Sequence, residues 1–204
     1  MKNILILTAA MLFVLSGVHA QRFVIQIEGG PSFPLGAFGA DEGSDAGYAR
    51  MGWTGAVSIG YAFTDNVRGG VKAAFLAHGV KEGAVPFVEV SPWNTTAILG
   101  AIVLSSPLSD AIFVEGNAGA GLLFTQFPAA SLSIGGVQVN RAAETGQGLG
   151  YEVGAGMRYM LSRDFALRLG VNYLGGKPSF EQNGTTFEQK IGAASVNWGI
   201  VFML

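Results

Sequence analysis

The chain has 204 residues, half of them hydrophobic and only 13% charged, with a formal net charge of −2. Ordinary soluble domains carry about 25% charged residues, so the composition points away from that class, and the near-neutral charge argues against a nucleic-acid partner. With no cysteine, a disulfide framework, a thiolate metal site and a thiol nucleophile are all excluded.

Residues 1–20 carry the three parts of a secretory signal peptide. Lys2 gives a positive start, "ILILTAAMLFVL" an apolar centre, and Val18 and Ala20 the small residues before a cut at Gln21. Residues 21–204 are then expected to form one domain. Beyond the leader, the two longest uncharged stretches, around 90–109 and 116–140, are broken by proline, glycine and polar residues. Neither is the run of about 20 apolar residues that a membrane-spanning helix needs. A hydrophobic exported chain without such a helix leaves a closed β-barrel as the common solution.

Period-two alternation supports that reading along the whole chain. Phe23, Ile25 and Ile27 oppose Gln26 and Glu28. Met51, Trp53, Val57, Ile59, Tyr61 and Phe63 oppose glycine, alanine, Thr54 and Ser58. Val67, Val71, Ala73 and Phe75 oppose Arg68, Gly70 and Lys72. Residues 94–104 are apolar on both faces, which leaves their sidedness open. Further on, Ile112, Val114, Ala118, Leu122 and Phe124 oppose Glu115, Asn117, Gly119 and Gly121. Tyr151, Val153, Ala155, Met157, Tyr159 and Leu161 oppose Glu152 and Arg158. In residues 164–174, Phe165, Leu167, Leu169, Val171 and Tyr173 oppose Ala166, Arg168, Gly170 and Asn172. The end of the sequence places Trp198, Ile200, Phe202 and Leu204 opposite Ser195, Asn197 and Gly199. These are eight segments near the 9–11 residues with which a tilted strand crosses a bilayer.

Tight turns are expected at 64–66, 105–110 and 162–164, and long links at 31–50, 78–93, 125–147 and 175–190. Alternation of short and long connections is the pattern of an outer-membrane barrel, with turns in the periplasm and loops outside. The mature chain resembles the small eight-stranded outer-membrane barrels of Gram-negative bacteria, the OmpA-like and OmpX-like porin family. That resemblance implies an all-β, eight-stranded antiparallel up-and-down barrel in the bacterial outer membrane. It also implies a C-terminal insertion signal, Gly199, Phe202 and Leu204, read by the barrel-assembly machinery, with periplasmic chaperones and outer-membrane lipid as the other partners.

Lysine or arginine facing lipid at mid-depth would cost about 2–4 kcal/mol. Glu28, Arg68, Lys72, Glu115, Glu152, Arg158 and Arg168 are therefore expected inside, either as a network of ion pairs or as the lining of a narrow path for water, ions or small solutes. Trp53, Trp93, Tyr151 and Tyr173 are expected in an aromatic girdle near the loops, and Phe23, Phe63, Tyr159, Phe165 and Phe202 in one near the turns.

No catalytic, cofactor or metal site is expected. His78, the one histidine after the leader, reads as a solvated side chain entering a loop. Lipid A-modifying barrels pair histidine with serine near the outer rim, but no His-x-Ser occurs here, which leaves that alternative weak. Asp41, Glu42 and Asp45 read as a solvated acidic tip rather than a calcium loop, because the EF-hand spacing and closing glutamate are missing. The expected role is structural, or surface interaction through the long loops.

Overall fold

The computed structural model describes residues 23–43, 45–81, 88–134, 137–182 and 184–204. The expected signal peptide, residues 1–20, lies outside the described residues. Eight long strands form the wall: β1 (Phe23–Pro34), β2 (Ala49–Thr64), β3 (Val67–Val80), β4 (Trp93–Pro107), β5 (Ile112–Phe127), β6 (Glu144–Met160), β7 (Phe165–Gly176) and β8 (Ile191–Met203). Each pairs antiparallel with its successor. β8 returns to β1, with Val24 opposite Met203 and Pro34 opposite Ala193. Backbone bonds from Phe23 N to Leu204 O (3.2 Å) and from Leu204 N to Phe23 O (2.8 Å) close the seam. The eight wall strands leave no free edge among them, which is what a bilayer demands of a β-structure.

Alternation fixes which face of each strand meets lipid. Ile27, Val57, Ile59, Val71, Leu169, Val171 and Trp198 are exposed on the outside, whereas Glu28, Lys72, Arg168 and Asn172 are buried inside. Residues 94–104 obey the same rule. Thr95, Ala97 and Leu99 are buried, and Ile98, Ile102 and Leu104 are exposed, so the hydrophobic inward face of β4 belongs to the core.

The strands run further than the alternation suggested. β4 continues to Pro107, which shortens the expected 105–110 turn, and β5 and β6 extend beyond the wall towards the loop end. There β6 pairs with Ser179–Gln182, which pairs in turn with Thr185–Glu188, while Val88–Val90, Ala130–Ile134 and Val137–Arg141 form a small separate sheet within the long connections.

Three layers fill the bore. Val24, Ala166 and Val201, with Met160 and Met203, pack together at the turn end. Charged side chains occupy the middle. Towards the loop end, Ala74, Leu76, Ala97, Leu99, Leu123, Leu174 and Ala193 form an apolar layer continuous with Phe38, Trp93, Phe180 and Ile191.

Candidate functional site

All seven inward-facing charges meet in the middle layer. Glu115 on β5 has a fully buried carboxylate shared by three arginines. Arg68 Nη2 of β3 donates to its Oε1 at 2.5 Å, and Arg168 Nε of β7 donates to its Oε2 at 3.3 Å. Arg158 Nε of β6 lies 2.8 Å from Oε1, but off the line of a hydrogen bond. Ser105 Oγ of β4 donates to the same Oε1 at 3.2 Å. Glu28 on β1 receives Lys72 Nζ (2.7 Å), Arg168 Nη1 (2.6 Å) and Gln26 Nε2 (2.8 Å). Lys72 Nζ also donates to Glu152 Oε1 at 2.7 Å. Lys72 thus bridges Glu28 and Glu152, and Arg168 bridges Glu28 and Glu115. Asn117 ties the two halves together, donating to Glu152 at 3.2 Å and accepting from Arg168 Nη2 at 3.2 Å.

Small residues on the inner wall make room for these long side chains. A Cβ at Gly154 would stand 2.8 Å from Asn117 Oδ1, one at Gly170 would stand 3.0 Å from Arg168 Nη1, and one at Gly199 would stand 2.7 Å from Glu28 Cβ. Gly199 therefore has a reason within the barrel besides its place in the expected insertion signal. Arg158 turns towards the turn end. Its guanidinium lies 4.6 Å from the centroid of the Phe113 ring, and its Nη1 approaches Met203 Sδ at 3.3 Å. A cation over an aromatic face keeps part of its stabilisation where water is scarce.

An aromatic lid sits above the apolar layer. The connection between β1 and β2 turns back over the mouth through a short 3-10 turn (Gly36–Phe38) and buries Phe38. The Phe38 ring meets His78 edge-on at 5.2 Å and Trp93 at 5.5 Å. Trp93 continues to Phe127 at 4.8 Å, and Phe127 to Phe180 and Phe187 at 5.7 and 5.6 Å. Hydrogen bonds fasten the lid: Trp93 Nε1 to Gly47 O (2.9 Å), Lys81 Nζ to Gly39 O (2.8 Å) and Gln189 Nε2 to Asp45 O (3.0 Å). Lys81 also donates to Asp41 at 3.2 Å. That bond, with the attraction of the ammonium, holds the Asp41 carboxyl below its ordinary value. Asp41 stays exposed while paired with Lys81.

Two expectations from sequence are corrected here. Trp93 is not part of the outer girdle. It shares the parity of Thr95, Ala97 and Leu99, so it points into the mouth and is buried. His78 is not a solvated loop residue. It lies on β3, only 1% exposed, and its Nε2 is 3.0 Å from Ser32 Oγ on β1. The two meet across β2 because the residue paired with both is Gly52, which has no side chain to separate them. This brings a histidine and a serine together, as the lipid-modifying alternative requires, but both are buried beneath Phe38 and the hydroxyl has no open face. The pair fastens β1 to β3 at the mouth. Ser32 fell in an expected loop, and only its parity with Glu28 and Gln26 could have pointed inward.

Residues 7–199 match the profile of the outer membrane protein beta-barrel domain. The chain belongs to that family. Its place is the bacterial outer membrane, so the turn end faces the periplasm and the loop end faces outward. Among solved structures, Neisserial surface protein A is similar at 16% identity over 89% of this chain and 97% of that one, with a TM-score of 0.50. A major outer membrane protein from Thermus thermophilus is similar at 11% identity over 91% and 100%, with a TM-score of 0.60. At such identities the likeness is one of fold. No curated protein sequence matches the chain.

Proposed function

We propose that the protein is a sealed, non-catalytic barrel of the outer membrane, whose body is a structural wall and whose work is surface interaction through the outward loops. The layered filling of the bore carries this reading. Leu99 and Leu123 are completely buried in a layer directly above the charged network, and the aromatic lid covers that layer. An ion moving along the axis would have to leave the polar middle and cross hydrocarbon, at a desolvation cost of many kcal/mol. Catalysis at the Ser32–His78 pair is disfavoured for the same reason, since a lipid would have to displace Phe38 to reach the hydroxyl.

The remaining partners follow from position. Outer-membrane lipid surrounds the exposed aliphatic band, and Tyr151, Tyr173 and Trp53 settle at the outer headgroups. Gly199, Phe202 and Leu204 would present the last strand to the barrel-assembly machinery after periplasmic chaperones deliver the chain. In planar bilayers the purified protein is expected to give no steady single-channel openings. Steady openings whose size changes on replacing Arg158 or Glu115 would overturn the sealed reading in favour of a narrow channel.

A further inference from the structure

The charges of the middle layer do not balance. Among the described residues the buried set comprises four cations, Arg68, Lys72, Arg158 and Arg168, against three carboxylates, Glu28, Glu115 and Glu152. Their hydrogen-bond partners show where the excess lies. Lys72 reaches two carboxylates, and Arg168 reaches two carboxylates and an amide. Arg68 donates only through Nη2, to a carboxylate already shared with two other arginines, and its buried Nε has no acceptor. Beside it is a cavity of about 60 Å³ in the periplasmic half, lined by Arg68, Lys72 and Arg168, by the Glu28 and Glu152 carboxylates that Lys72 and Arg168 already pair, and by Ser58. The Arg158 Nε lacks an acceptor too, but that guanidinium turns away to the Phe113 ring and Met203 and does not line the cavity. A single water needs about 10–15 Å³, so the cavity exceeds one water.

We propose that this cavity is a binding site for one small monovalent anion of the halide class, held by the Arg68 guanidinium. Water alone would satisfy the free N–H but leave a net positive charge inside a tube surrounded by hydrocarbon, which is costly. A monovalent anion meets both needs at once, whereas a phosphate dianion would reverse the imbalance. Ser58, also in the lining, carries a hydroxyl able to donate to the same anion.

Two measurements test the site. The first is unfolding of the full barrel in phosphatidylcholine vesicles, in sodium chloride against sodium gluconate at equal ionic strength. Above its dissociation constant, each tenfold rise in chloride is expected to lower the unfolding constant about tenfold. The Arg68→Gln barrel, if it folds, is expected to lose this dependence. The second needs no variant: crystals of the wild-type protein grown in bromide are expected to show an anomalous peak within hydrogen-bonding distance of Arg68. Equal stability in the two salts, or a bromide-free cavity containing only water, would overturn the proposal.

Discussion

Replacing Glu115 by glutamine is expected to cost the barrel about 3–5 kcal/mol, the range for removing one partner of a buried ion pair. The substitution keeps the shape of the side chain and removes only its charge. Arg68, Arg158 and Arg168 would then face one another with their shared counter-charge gone. Urea unfolding in lipid vesicles reads the loss, and early loss of heat-modifiable migration on a gel gives the same answer qualitatively. Glu152→Gln is expected to cost less, because Glu152 receives one lysine and one amide and Lys72 keeps Glu28. A double substitution, Glu115→Gln with Arg158→Met, should be milder than the sum of its parts, since it removes one of the stranded cations together with the anion. A loss below about 0.5 kcal/mol for Glu115→Gln, the level of an ordinary surface change, would mean that water screens the network and the bore is not sealed around it.

The second large effect is on the opposite face. Leu169→Arg places a guanidinium at mid-strand on the lipid side, where the leucine is 58% exposed. The expected cost is about 2–4 kcal/mol, falling to about 0–1 kcal/mol near the interface. Leu161→Arg, equally outward but in the connection between β6 and β7, is the depth control and is expected to fall in the lower range. Vesicle unfolding again measures both. Equal and small losses at the two positions would show that residue 169 does not face hydrocarbon.

The wall was legible in the sequence because its rule is local. Two-residue alternation is written into each strand, so Phe165 to Tyr173 on one side and Arg168 and Asn172 on the other could be assigned without knowing any neighbour. Tight turns were readable for the same reason. What was not legible depends on which residues meet across the bore. Arg168 reaches Glu28 from 140 positions away, a meeting set by strand stagger around the whole ring. Nor does any single strand reveal that the space beside Gly154 and Gly170 is taken by Asn117, Asn172 and Arg168 reaching across.

The mouth was misread because loop and strand were divided by composition. Trp93 and His78 sit where charge and proline begin to appear, yet the pairing of β3 with β4 continues through both, with His78 opposite Trp93. Extending the alternation of both strands through these positions would have turned both side chains inward. Phe38 had no sequence signal at all. Its burial follows from the β1–β2 connection folding back, which is held by contacts with Trp93, Lys81 and Gln189 from three other parts of the chain.

Because the chain has no cysteine, one scan tests the two-faced wall directly. Single cysteines placed in turn at residues 165–174, spin-labelled in vesicles, report contact with lipid through relaxation by dissolved oxygen. The account predicts a two-residue rhythm, high at 167, 169 and 171 and low at 166, 168, 170 and 172. A period near 3.6, or high lipid contact at 168, would contradict it.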